Sequence, residues 1–253
     1  MTRIIGHRGG RNVWPENSLT GFRNLLALPV EAVEFDVHPT DAGELVVIHD
    51  PTLDRTTDAT GPVRALTPEA RATVRLSGTE EGIPLLDEVL AVLAPSSLDL
   101  HVELKADPGG VPYDGLPART AEALARHGLK ERSFLTSFNF EVLAECRRVA
   151  PNIRRLCSMN RKSADRLGLG ASLDLASERA DVLAVQNDLL DAEWDRITAA
   201  WPLDRLGAWV PNTEDELRYW LSRGLHQITT DRPDLALGVR EGLTPAVPAP
   251  VSR

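Results

Sequence analysis

Cysteine is nearly missing: the 253-residue chain has two. Cys146 and Cys157 fall in neither a CxxC nor a CxxH spacing, which argues against a disulfide framework and fits buried, structural thiols in a reducing compartment. Long apolar runs are missing too. No stretch approaches the roughly 18 apolar residues of a membrane-spanning helix. The opening "MTRIIGHRGG" turns polar after its isoleucines, whereas a secretion signal needs an apolar run of about 7–15 residues. The expectation is a cytoplasmic protein without a membrane span. Positive charge is in deficit, with a formal net charge of −9. That argues against a general nucleic-acid or anionic-membrane binder, because broad phosphate contact needs a basic face. It leaves room for a small phosphorylated substrate, which meets only the charge of its own pocket. Internal repeats and low-complexity linkers are lacking as well.

What is present suits a globular α/β protein. The apolar share, 42%, supplies a core, and the charged share, 26%, covers it. Length alone allows one large barrel or two small domains. Short apolar runs alternate with longer helix-like segments, the pattern of parallel βα units. Candidate strands lie at 3–7, 32–37, 99–104, 133–137, 153–157, 182–186, 206–210 and 226–230, which makes eight. Helical patterns follow most of them. "PENSLTGFRNLLAL" opens with Pro15 near a first turn, "GLPARTAEALARHG" stops at Gly128, and "NTEDELRYWLSRG" has a cap, an acidic first turn and a stop at Gly224. One unit breaks the alternation. "EFDVHPTDAGELVVIHD" sets Asp-Ala-Gly between two strand-like runs, which is hairpin chemistry. The second strand is therefore expected to overrun the barrel rim and fold back, returning His49 to the rim that Asp36 leaves. The expected fold class is α/β, a (β/α)8 TIM barrel with a β-hairpin excursion after strand 2. Residues 51–82, rich in Thr, Pro and Gly, read as a loop-dominated excursion, and the Pro/Ala-rich 244–253 as a disordered tail.

Such a barrel carries its active site where the strands end, and polar residues gather at those expected ends. His7 and Arg8 close the first strand, Glu34 and Asp36 the second, Glu103 and Lys105 the third. Residues two apart on a strand share a face, so Glu34 points with Asp36 and Glu103 with Lys105. Three carboxylates aimed into one mouth repel one another and are costly to bury unless paired or metal-bound. One divalent cation resolves the conflict, and an all-oxygen donor set suits Mg2+ or Ca2+. With such an ion the three carboxylates keep one negative charge, Arg8 and Lys105 turn it to one positive, and a phosphodiester monoanion cancels it. Taken singly, each acid is equally a salt-bridge partner and "HRG" a rim residue. The ordered set on consecutive strands is what points to a site.

The segments "GHRGG…PENS", "VEFDVHPTDAGELVVIHDPTLDRTT", "HVELK", "TSF", "AWVPN" and "TTDRPD" run in one order over nearly the whole chain. Through them the sequence resembles the glycerophosphodiester phosphodiesterase family, within the superfamily of phosphatidylinositol-specific phospholipase C barrels. The resemblance implies one barrel domain over 1–243. It implies that His7 and His49 form the general acid/base pair, that Glu34, Asp36 and Glu103 bind one divalent cation, and that Arg8 and Lys105 clamp the phosphate. Glu16 and Asn17 match a Pro-Glu-Asn element beside the site, and Phe138 and Trp209 match aromatic positions at the pocket rim, where packing explains them equally well. His38, expected beyond the rim, and His101, expected deeper in the barrel, are left out of the site. Asp50 and Asp231 are assigned an orienting role. Two departures, Ala42-Gly43 for the usual Asp-Gly and "WVPN" for the usual "WTVN", bear on the substrate more than on catalysis.

The implied activity is metal-dependent hydrolysis of glycerophosphodiesters to glycerol 3-phosphate and an alcohol, acting on a small-molecule phosphodiester and on no nucleic acid. The attacking group is either the substrate's 2-hydroxyl, giving a cyclic phosphate, or water. Three rivals stand beside it: the same scaffold acting on a lysophospholipid or another phosphodiester, a barrel that only binds a phosphorylated ligand, and a metal-dependent amidohydrolase. The last should show a paired-His motif on its first strand, which "GHRGG" lacks.

Overall fold

A computed structural model describes residues 1–243; the stretch read as a disordered tail, 244–253, lies outside the described residues. The strands are β1 (Arg3–His7), β2 (Ala32–Pro39), β3 (Leu45–Val47), β4 (Asp99–Leu104), β5 (Ser133–Ser137), β6 (Arg154–Met159), β7 (Val182–Gln186), β8 (Leu206–Trp209) and β9 (Gln227–Thr230). Eight of them are parallel in the order β1-β9-β8-β7-β6-β5-β4-β2, and β1 pairs with β2 to close the ring. β3 lies outside it, antiparallel on β2, with His38 opposite Val46. The expected hairpin is therefore present, and its turn depends on Gly43 at φ 91°, a backbone region that glycine enters without strain.

The helices are α1 (Leu19–Leu25), α2 (Pro68–Thr73), α3 (Leu86–Leu93), α4 (Leu116–Arg126), α5 (Phe140–Val149), α6 (Arg161–Asp165), α7 (Leu169–Arg179), α8 (Asn187–Ala192), α9 (Trp194–Ala200), α10 (Glu214–Leu221) and α11 (Pro233–Leu243). Every residue of β2 is buried, as expected for a parallel strand with a helical layer on one side and the barrel interior on the other. Its outward residues Val33, Phe35 and Val37 belong to the main core with Phe22 of α1 and Leu90 of α3. A smaller cluster, Phe134, Leu156, Val182 and Ala184, joins β5, β6 and β7, with Trp209 packed on it.

One sequence expectation needs correction. α1 starts at Leu19, not near Pro15, because Ser18 is the cap: its hydroxyl accepts from Gly21 N at 2.9 Å and donates to the Pro15 carbonyl at 2.7 Å. Pro15–Asn17 thus remain loop, which leaves Glu16 and Asn17 free to turn toward the barrel mouth. The segment 51–82 is loop-dominated as expected, with the short α2 within it, and Leu53, Val63, Leu66, Val74 and Leu76 form their own apolar cluster with Val46, Ile48 and Ile83.

Gly6 on β1 sets how closely α1 approaches. A Cβ there would lie 2.7 Å from both methyls of the fully buried Leu25. Gly6→Ala should destabilise the protein by about 1–3 kcal/mol through overpacking, read as a lower urea midpoint. In a Leu25→Ala background the same methyl should fill space rather than collide, and its penalty should largely vanish. Equal penalties in both backgrounds would refute the contact.

Candidate active site

The barrel's register assembles the acids. Glu34 lies beside His7 across the β1–β2 pair, and Asp36 beside Glu103 across the β2–β4 pair. Glu34, Asp36 and Glu103 each offer an oxygen within 4.8 Å of the others, so the three expected ligands do converge. Asp36 is the well-compensated member. Its Oδ1 lies 3.2 Å from Lys105 Nζ, and its Oδ2 lies 3.3 Å from Arg8 Nε and accepts from Asn17 Nδ2 at 2.9 Å. Burial would raise its pKa, yet Lys105, His49, Arg8 and Asn17 outweigh that and hold it well below the usual carboxylate range. Glu34 has less help. Its Oε2 accepts from Arg8 N at 3.2 Å, while the buried Oε1 has no hydrogen-bond partner. Burial, then the charges of Asp36 and Glu103, push its pKa well up. An unsatisfied, buried carboxylate oxygen facing two further acids fits a hard divalent cation, which would relieve the orphaned acceptor and the repulsion together.

The two cations face this cluster. Lys105 Nζ donates to Glu103 Oε1 at 2.6 Å. Burial alone would lower its pKa, but Asp36 and Glu103 raise it above the ordinary lysine value, so it is an ammonium. Arg8 reaches over the mouth because its backbone is left-handed, φ 50°, as is that of Asn17, φ 54°. Such conformations at non-glycine residues cost on the order of 1–3 kcal/mol and persist where surrounding contacts fix them. Here Asn17 N donates to Arg8 O at 3.0 Å, and Arg8 Nη1 donates to Glu16 Oε1 at 3.1 Å.

Each histidine is held by an aspartate. His7 Nδ1 lies 2.5 Å from Asp231 Oδ1, and His49 Nδ1 lies 2.6 Å from Asp50 Oδ1. His7 Nε2 lies 3.7 Å from Glu34 Oε2. Burial lowers the His7 pKa, and the hydrogen bond to Asp231 only partly opposes it, so the ring is neutral at neutral pH. Asp231 is fixed in turn by Asn212, whose Nδ2 donates to Oδ2 at 2.8 Å and whose Oδ1 accepts from Asp231 N at 2.9 Å. Asp50 and Asp231 therefore do orient the rings. His7, Arg8, Glu34, His49 and Glu103 line one cavity of about 570 Å³, together with Phe138 and Trp209. Those two aromatic rings meet edge to face at 5.5 Å, and Trp209 Nε1 donates to Ala184 O at 3.0 Å.

Sequence reasoning missed Arg55 and undervalued His38. Arg55 grips Asp50 through Nε at 2.6 Å and Nη2 at 3.0 Å, and Glu16 through Nη1 at 2.9 Å and Nη2 at 2.8 Å. The Asp-Arg of "DPTLDRTT" was the available signal, but strand periodicity says nothing about a loop. His38 lies beyond the rim as expected, yet it braces the site: Nε2 contacts the His49 carbonyl at 3.1 Å and Nδ1 the Tyr113 hydroxyl at 3.2 Å. Burial pushes its pKa down to about 4, so it remains neutral. His101 sits low in the cavity, buried and edge-on to Phe134 at 4.9 Å. Cys146 and Cys157 are buried and not disulfide-bonded. Among the described residues no helix is long and apolar enough to cross a membrane.

Comparison with known proteins places the chain in a family. At 33% identity the chain matches the glycerophosphodiester phosphodiesterase of Caldanaerobacter subterraneus subsp. tengcongensis, over 60% of this chain and 65% of that one. The match thus spans just under two thirds of that relative's length. A glycerophosphodiester phosphodiesterase of Bacillus altitudinis is 29% identical over 95% of this chain and 99% of its own. A crystal structure from Agrobacterium tumefaciens str. C58 that carries the same family designation superposes with a TM-score of 0.88 at 33% identity, over 96% of this chain and 98% of that one. The sequence model of the glycerophosphoryl diester phosphodiesterase family matches residues 7–235, and the chain belongs to that family.

Proposed function

We propose that the protein hydrolyses glycerophosphodiesters to glycerol 3-phosphate and an alcohol. One observation carries this reading: two aspartate-held histidines line one cavity with Arg8, Glu34 and Glu103, and those two acids converge with Asp36. A binding-only barrel would need the charged groups but not the oriented imidazole pair.

Glu34, Asp36 and Glu103 would hold a divalent cation, and their oxygen-only chemistry suits Mg2+ or Ca2+. When bound, it supplies Lewis acidity and charge neutralisation at the phosphate. Arg8 and Lys105 bind the phosphoryl oxygens and stabilise the charge that builds on them. Asp231 and Asp50 accept from the Nδ1 of their histidines, which leaves each Nε2 for the substrate. His7, neutral through burial, removes the proton from the attacking hydroxyl, and His49 gives a proton to the departing alkoxide. If the hydroxyl is the substrate's own 2-hydroxyl, a cyclic phosphate forms and the histidines exchange roles as water opens it. If it is water, glycerol 3-phosphate forms in one step. Phe138 and Trp209 wall the cavity and exclude bulk water.

The reading predicts that purified protein releases glycerol 3-phosphate from a glycerophosphodiester, that chelation with EDTA stops release, and that Mg2+ or Ca2+ restores it. His7→Ala and His49→Ala should each lower kcat by about 10²–10⁴-fold. Undiminished release under chelation would overturn the metal requirement, and full activity in either variant would overturn the acid–base assignment.

The pH dependence has a definite sign. His7 works as the neutral base, and burial holds its pKa below the ordinary 6.5. The acid limb of kcat/KM should therefore lie below pH 6.5, with activity lost as pH falls through it. Asp231→Asn removes a partner that raises this pKa. Its acid limb should move to lower pH while kcat falls, because the ring loses its fixed orientation. A limb that stays in place would assign the titration to another group.

A further inference from the structure

Beside the catalytic cavity lies a second depression, a groove of about 670 Å³ between the loops after β4, β5 and β6. The two are neighbours: Glu103, Phe138 and Asn160 line both. Beyond them the groove runs past Lys105 and Asn139 toward Lys162 and Arg166, on α6 and at its C-terminal end. The electrostatics of its walls are one-sided. Its two acids are already engaged, Glu103 by Lys105 at 2.6 Å and Glu141 by Arg179 at 2.9 Å. Lys162 and Arg166 are exposed, and among the described residues no ion pair or hydrogen bond engages the side chain of either. The walls also carry neutral polar groups, Asn139, Asn160 and Ser163, near apolar Phe140 and Leu167.

A phosphodiester has two arms. On the hydrolase reading above, the phosphate and the glycerol arm that becomes glycerol 3-phosphate occupy the cavity beside the carboxylate cluster. The alcohol arm then leaves the mouth, and this groove adjoins it. We propose that the groove receives the alcohol arm and selects alcohols that carry negative charge, such as a phosphorylated polyol, over cationic ones such as choline. The inference rests on the hydrolase reading and adds the substrate class to it. A quaternary ammonium would find there only carboxylates already paired with cations, and the Phe138 ring is already packed edge to face with Trp209. An anionic alcohol would find two unpaired cations and amide donors along one wall. A lysophospholipid is not the occupant implied, because its acyl chain hangs from the glycerol arm and not from the departing one.

The test compares kcat/KM on three substrates: glycerophosphocholine, glycerophosphoinositol and glycerophosphoinositol 4-phosphate. Each is assayed with the wild type and with a Lys162→Glu, Arg166→Glu double variant whose circular dichroism and melting temperature match the wild type. The wild type should prefer the phosphorylated substrate to the choline substrate. The double variant should shift that ratio by about tenfold or more toward choline and leave glycerophosphoinositol, whose alcohol arm is uncharged, nearly unchanged. The wild-type preference should also weaken when ionic strength is raised from about 0.05 M to about 0.5 M, as exposed charges are screened. The same ratio in both proteins would overturn the groove assignment while leaving the hydrolase reading intact. Failure of both proteins to hydrolyse any of the three would overturn the hydrolase reading, and this inference with it.

Discussion

The organising constraint in this molecule is the repulsion among Glu34, Asp36 and Glu103, all drawn into one barrel mouth. Carboxylates at such distances in a low-dielectric site cannot all remain charged without counter-charge. The chain answers with Lys105 on the same strand end as Glu103, with Arg8 swung over from β1, and with the amide of Asn17. These devices are distributed unevenly. Asp36 collects nearly all of them and remains ionised, whereas Glu34 retains a buried oxygen without a partner. In a closed salt-bridge network every acceptor would be satisfied, and here one is not.

The backbone bends to serve the same end. Arg8 and Asn17 both adopt left-handed conformations within ten residues of each other, and Ser18 postpones the start of α1 so that the intervening loop can reach the mouth. A helix beginning near Pro15 would have been cheaper locally, and it would have carried Glu16 and Asn17 away. Glu16 then links Arg8 to Arg55, and Arg55 links Glu16 to Asp50 and so to His49. His49 is thereby tied to Arg8, the neighbour of His7, through a single chain of alternating charges.

The fold and the central site were readable from the sequence because both follow strand periodicity. Alternation places Glu34 with Asp36 and Glu103 with Lys105 on inward faces, and the structure adds only the register that sets Asp36 beside Glu103. The hairpin was readable from Asp-Ala-Gly, and with it the return of His49. Groups fixed by loop geometry were not. Arg55 comes from a segment whose order depends on a small apolar cluster around Leu53 and Leu76, and no periodic pattern announces it. His38 was set aside because it lies beyond the rim. Its function depends on what is not local, the carbonyl of His49 on the returning chain.

Ring closure ties these levels together. His7 stands on the strand that pairs with β2 on one side and β9 on the other. Its Nε2 therefore faces Glu34 across one seam, while its Nδ1 meets Asp231, from just beyond the end of β9, across the other. Neither contact is local, and the second joins residues 224 apart in sequence. His7 is consequently positioned by the pairing of the first and final strands. Asn212 then fixes Asp231 from the end of β8, so three successive strand ends determine one imidazole. A barrel that closed in another register would retain much of its core and lose this constellation, which makes the pairing of β1 with β9 a condition of chemistry as much as of stability.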